Sequence, residues 1–273
     1  MDQSNRNTFI IAGAVVFAGL LIAAGVFFGG NTQEIGGGTQ QVNTTTNTDN
    51  NRETASKQDG AGIMAAAEAA GVDTDQVQSC LDSDKFQQDV QEDTSDARAA
   101  GGRGTPFNVL VFANPLTEQG RTSITGALGG DNLTISEDGK RLSVSGAIPF
   151  SALQQIIDTA LDNQQNQNAE STSDDIAISE VTEEDHIRGN RDAAVKVVEY
   201  SDFGCPYCGQ FHQTMKQVTD NYDSSEVAWV YRHFPIPQLH PQAPRIARAS
   251  ECVADQGGDK AFWTFADEIF AGS

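Results

Sequence analysis

Basic residues are scarce in this chain. Its 17 Lys and Arg face 38 Asp and Glu, a formal net charge of −21 over 273 residues. Such a balance repels phosphate backbones and anionic lipid surfaces, so nucleic acid is not expected as a partner. Cysteine is also sparse, with only Cys80, Cys205, Cys208 and Cys252. A closed structural zinc site takes four ligands, usually from two close pairs, and here only Cys205 and Cys208 form such a pair. His233 and His240 lie among Pro235, Pro237, Pro241 and Pro244 without metal-ligand spacing. No metal site is expected. None of the Gly-rich stretches follows a strand at phosphate-loop spacing, which leaves nucleotide binding unsupported. Apolar residues make up 38% of the sequence, and much of the chain has too few to build a core.

One long apolar run is present, from Thr8 to Gly29. It is long enough to cross a bilayer as a helix. Val26-Phe-Phe28 follows its Ala-rich stretch, where a cleaved signal peptide would turn polar, so residues 1–30 are read as an uncleaved anchor. Arg6 precedes the run and Glu34 follows it, an asymmetry that places the rest of the chain outside the cytoplasm. Residues 31–60, rich in Gly, Thr, Asn and Gln, read as a disordered tether.

From residue 61 the pattern is globular. An Ala-rich helix runs from Ile63 to Ala70 and closes at Gly71. Asp73 or Thr74 caps a short helix carrying Val77, Cys80 and Leu81, and Ser83 is placed to cap a third with Phe86, Val90 and Ala97 on one face. Gly104-Thr105-Pro106 then enters the apolar strand 107–112. Two turn-like clusters bracket Leu133-Thr-Ile135, which predicts an enlarged hairpin over 114–140. Leu153, Ile156, Ile157, Ala160 and Leu161 keep helical spacing and predict a helix packed on a sheet. Residues 163–180, which open Asn- and Gln-rich, read as a linker.

The stretch with chemistry is Glu199-Tyr-Ser-Asp-Phe-Gly-Cys205-Pro206-Tyr207-Cys208. A strand-like run, 195–200, feeds a short turn, and the two thiols fall where a helix begins. There the unpaired N–H groups and the helix dipole stabilise a thiolate. Pro206 fits the first helical turn, where its missing N–H costs nothing. Cys205 is read as the exposed attacking thiolate and Cys208 as the resolving thiol. The competing readings are a zinc half-site and a buried structural pair. Tyr207 is placed to tune the dithiol and touch substrate. Glu199, six residues before Cys205, is either a buried carboxylate that exchanges a proton with Cys208 or a solvated strand charge. His212, one helical step beyond Cys208, reads as a packing or surface residue, with a base as the lesser alternative, and Phe203, Phe211, Trp229, Phe262, Trp263 and Phe265 as core.

The tetrapeptide C-P-Y-C also occurs in cytosolic glutaredoxins, but the longer segment 197–212 resembles the active-site segment of DsbA-like thiol–disulfide oxidoreductases. Residues 183–190, 230–235 and 261–270 resemble that family's lead-in, second strand and a helix of its inserted helical domain. Residues 71–81 through Gly104-Thr105-Pro106, with 146–150 and the helix after them, resemble the family's second half. The resemblance implies an α/β thioredoxin-like fold with a helical insertion, and a redox-active Cys205–Cys208 disulfide with no other cofactor. It implies a cis Pro106 packed against the dithiol at the surface that receives substrate, with Thr105 offering backbone contacts. It further implies a structural disulfide between Cys80 and Cys252, for which two buried free thiols are the alternative.

The two halves stand in reverse order, with the second-half segment at 61–162 and the first-half segment at 181–273. A circular permutant, a fragment of a tandem protein and a swapped dimer all fit this order, and the permutant is favoured because one full set of elements is present. The expected function is thiol:disulfide exchange with exported proteins by a single-pass, membrane-anchored, extracytoplasmic enzyme served by an unidentified membrane redox partner. An inactive thioredoxin-fold binding module and a tethered copper handler are the alternatives.

Overall fold

The computed structural model describes residues 60–129, 132–162 and 176–271. The anchor expected over 1–30, nearly all of the tether over 31–60 and residues 163–175 of the linker lie outside them. Among the described residues no helix is long and apolar enough to cross a membrane.

In chain order the elements are α1 (Gly60–Ala69), α2 (Thr74–Asp82), α3 (Gln87–Ala99), β1 (Phe107–Phe112), α4 (Glu118–Leu128), β2 (Leu133–Ile135), β3 (Arg141–Ser145) and α5 (Phe150–Asp162). After the linker come β4 (His186–Arg188), β5 (Val195–Ser201), α6 (Pro206–Asn221), β6 (Val227–His233) and α7 (Ala243–Phe270). The six strands form one mixed sheet in the order β2-β3-β1-β5-β6-β4. Its centre joins strands from the two sequence segments. β1 pairs antiparallel with β5, Phe107 opposite Tyr200 and Phe112 opposite Val195. β5 runs parallel to β6, the pairing that a helical crossover such as α6 permits.

Every residue of β6 and all but one of β5 are buried. Strands so buried need cover on both faces, and each face has its own core. On one, Val197, Trp229 and Tyr231 meet Leu153 and Ile156 of α5, Phe211 and Met215 of α6, and Phe262 and Phe265 of α7. On the other, Val198, Tyr200 and Val230 meet Ala97 of α3 and Ile176. α7 breaks at Gly258, whose φ of 63° and ψ of −163° leave the helical region. Its two limbs pack against α1 and α2 to make the helical cap.

Three local expectations are corrected. Ser83 does not cap α3; its hydroxyl donates to the Cys80 carbonyl at 2.7 Å and closes α2 instead, while Asp73 caps α2 by accepting from the Asp75 and Gln76 N–H groups. The segment 114–140 holds a full helix, α4, before the edge strand β2. Thr117 caps it by accepting from the Gly120 N–H, and Arg121 ties it to the turn by donating to the Ser136 and Glu137 carbonyls. Two glycines and weak apolar periodicity hide that helix in the sequence. Residues 176–180 are also not free linker. Arg141 donates to the Ile176 carbonyl, Asp96 accepts from Ser179, and Arg232 donates to the Ser179 and Glu180 carbonyls.

Several contacts join the two sequence segments. Cys80 and Cys252 are disulfide-bonded across 172 residues. Arg232, nearly buried, meets Asp96 and Asp185 at 2.7 Å each, and Tyr200 donates a short hydrogen bond to Asp96. Replacing both Cys80 and Cys252 by Ser releases the longest covalent constraint on the unfolded chain. The expected loss is roughly 2–5 kcal/mol in urea unfolding, with no change in the reactivity of Cys205.

Candidate active site

β5 ends at Ser201, and a three-residue turn leads to Cys205 at the N-cap of α6, with Pro206 in the first turn. Asp202 builds that turn. Its carboxylate accepts from the Gly204 N–H and the Ile236 N–H, both at 2.7 Å, and lies 2.9 Å from His240 Nδ1. A Cβ on Gly204 would fall 2.5 Å from the His240 Cβ, so only glycine admits this approach. Because β1 begins beside the end of β5, Thr105-Pro106 arrives opposite the dithiol. The Thr105-Pro106 peptide is cis, and Cys205 Sγ lies 3.4 Å from the Thr105 carbonyl oxygen.

Cys205 is not the exposed thiol expected from sequence: it is 6% exposed, covered from the Thr105 side. Tyr207, by contrast, is 63% exposed beside it. Cys208 is fully buried, and its sulfur accepts from the Asp202 N–H at 3.4 Å. Both thiols are free.

Their acidities are driven apart. The Cys208 thiol, aided by Thr105 and the backbone N–H groups of Cys208 and Tyr207, outweighs burial and lowers Cys205 to about 6. Burial first, then the neighbouring Cys205 and Glu199, pushes Cys208 well above its ordinary value. One sulfur is thus a thiolate at neutral pH and the other a thiol.

Glu199 is fully buried, so the solvated reading is overturned: the β5–β6 register places it inside the helix-covered sheet. Trp229 Nε1 donates to Glu199 Oε2 at 2.9 Å. Burial raises Glu199 to about 7, with the indole bond opposing and the Cys205 charge adding. His212 is buried as a packing residue, 2.7 Å from Asp267 through Nε2 and edge-on to Trp229. Burial lowers its pKa despite Asp267. Among the described residues no group of His, Cys, Asp and Glu is arranged to hold a metal ion.

Sequence reading missed Asp202 and His240. Asp202 was visible as an Asx-turn residue, since an aspartate two positions before a turn N–H is placed to accept from it. His240, 38 residues away, is brought there only by the turn after β6.

Residues 181–272 match the family described as Thioredoxin, and residues 49–134 match the DSBA-like thioredoxin domain. The curated relatives include Na(+)/H(+) antiporter NhaA 3 of Salinispora tropica, 42% identical over 97 residues, or 36% of this chain and 14% of the relative. Na(+)/H(+) antiporter NhaA 1 of Salinispora arenicola is 39% identical over the same shares. Na(+)/H(+) antiporter NhaA of Herminiimonas arsenicoxydans is 40% identical over 86 residues, 32% of this chain and 13% of the relative. The chain therefore spans about one seventh of the length of these relatives. No solved structure matches.

Alkylation of Cys205 in the reduced protein is expected to rise with pH through an inflection near 6, with Cys208 unreactive; mass spectrometry of quenched samples checks both. Glu199 has a folded pKa raised from 4.5 to about 7, so its favourable contribution holds below 4.5 and is lost as pH rises through 7. Glu199→Gln is therefore expected to gain about 2–3 kcal/mol on wild type between pH 4.5 and 8 in reduced-state urea unfolding. A pH-independent difference would place Glu199 outside this linkage.

Proposed function

We propose that this chain, a DsbA-like protein of the thioredoxin fold, is a thiol:disulfide oxidoreductase that exchanges disulfides with cysteine-bearing exported polypeptides. The observation that carries this reading is the pairing of a low-pKa Cys205 with a buried, high-pKa Cys208 under the Thr105 carbonyl.

The chemistry follows from that asymmetry. A substrate thiolate attacks Cys205 in the oxidised Cys205–Cys208 bond; the S–S bond breaks, and Cys208 leaves with the electron pair and takes up a proton. A second substrate thiolate then attacks the substrate sulfur of the mixed disulfide and expels Cys205 as a thiolate, leaving the substrate oxidised by two electrons and the dithiol reduced. A low-pKa leaving group favours this oxidant direction. Thr105, beside Cys205, offers backbone groups to a bound substrate chain, and exposed Tyr207 offers it an aromatic face.

The apolar run 8–29, with Arg6 before it and Glu34 after it, supports a membrane-anchored, extracytoplasmic placement, where an unidentified membrane redox partner restores the disulfide. The match order, DSBA-like before Thioredoxin, and the β1–β5 pairing that joins the two segments in one sheet support a circular permutant. Ion transport, which the names of the relatives describe, is not proposed for this chain.

Cys205→Ser is expected to abolish exchange with a reduced, cysteine-containing model protein, and Cys208→Ser, whose Cys205 thiolate can still attack the same protein in its disulfide-bonded form, to accumulate mixed disulfides visible on non-reducing gels. Normal turnover by Cys208→Ser would refute the assignment.

A further inference from the structure

Three buried polar atoms beneath Cys208 have no hydrogen-bond partner: Glu199 Oε1, Ser201 Oγ and Tyr231 OH. Glu199 and Ser201 stand two residues apart on β5 and so leave the same face of the sheet. Tyr231 is opposite Glu199 in the parallel register of β6. All three residues are at most 1% exposed, and Cys208 is fully buried above them. An orphaned buried polar group costs about 1–3 kcal/mol, and native proteins carry few. Three on one patch under a reacting sulfur point to a function.

Ser201 is the neighbour they share. Its hydroxyl favours the charged forms of Glu199, Cys208 and Tyr231 alike, yet it holds none of them in a fixed hydrogen bond. A serine hydroxyl donates and accepts, and turns freely about its C–O bond. Glu199 makes no hydrogen bond to Cys208: one of its oxygens is held by Trp229 and the other is open. Tyr231, kept neutral by burial, cannot take up a net proton from the thiol. The carboxylate can.

We propose that Ser201 relays the proton between Cys208 and Glu199 during the disulfide exchange proposed above, on which this inference rests. When Cys208 leaves as a thiolate, the Ser201 O–H proton passes to its sulfur as the Glu199 carboxyl proton passes to the Ser201 oxygen. The products are a Cys208 thiol, an intact Ser201 hydroxyl and a Glu199 carboxylate. When Cys208 attacks a mixed disulfide at Cys205, both protons move the other way. No water need enter, which suits a sulfur without solvent access.

The test is a single turnover. The full chain is loaded at Cys205 with the chromophoric thiol 2-nitro-5-thiobenzoate as a mixed disulfide, and its release by Cys208 is followed in H2O, in D2O and in mixtures of the two. Wild type is expected to release the thiol with a curved dependence on deuterium fraction, the mark of two protons in flight, and more slowly as pH falls below about 7. Ser201→Ala is expected to slow release by about 100–10,000-fold and to lose the curvature, while Ser201→Thr, which keeps a hydroxyl, restores both. Cys205 alkylation, measured in parallel, is expected to stay at the wild-type rate in each variant and so reports intact folding. Wild-type release by Ser201→Ala, or a linear deuterium dependence in the wild type itself, overturns the relay. The second result needs no variant to fold. If wild type forms the mixed disulfide but Cys208 never releases the thiol, the oxidoreductase reading fails and the relay with it.

Discussion

The antiparallel pairing of β1 with β5 is the contact on which the site depends. It joins strands from opposite sides of the linker and sets Phe107 against Tyr200. That register brings Thr105 to the sulfur of Cys205. Shifting an antiparallel strand by one residue would turn every side chain to the opposite face, so the two cores on either side of the sheet also lock the geometry of the dithiol. Cys80–Cys252 and the Arg232 cluster reinforce the same union from the helical cap and from the sheet's far face.

Around that frame, burial sets the electrostatics. Cys205 is shielded but lies at a helix N-terminus, where N–H groups face it. Cys208, Glu199 and Tyr231 lie deeper, where a charge has few partners, and each is pushed toward its neutral form. A second buried cluster shows the opposite outcome. His186, 2.9 Å from Glu251 and 3.1 Å from Asp259, is raised to about 9 because those carboxylates outweigh its burial. Comparable burial thus gives neutral groups beside the dithiol and an ion pair at the helical cap, according to whether a partner is supplied.

Local pattern made much of this legible. The strand–turn–helix around Cys205, the capped α2 and the amphipathic α5 follow from spacing and composition. α4 was not readable, because Thr117 and Arg121 stabilise it through contacts at its N-terminal end while its own sequence, with Gly120 and Gly126, favours helix weakly. The depth of Cys205 and Glu199 was hidden for a different reason. Burial of a strand residue depends on which elements cover the sheet, and Glu199 is covered by helices from both sequence segments. The partnership of Asp202 with His240 depends likewise on the loop after β6.

The central place of β1 has a consequence for synthesis. Its partner β5 lies beyond α4, β2, β3, α5 and the linker, so one edge of a largely apolar strand stays open while that intervening chain is made. At ~5–20 residues per second this interval lasts on the order of seconds to tens of seconds. An open strand edge is a template for pairing with other chains. The nascent polypeptide is therefore most exposed to aggregation before β5 emerges, and the charge of −21 supplies mutual repulsion that opposes such encounters.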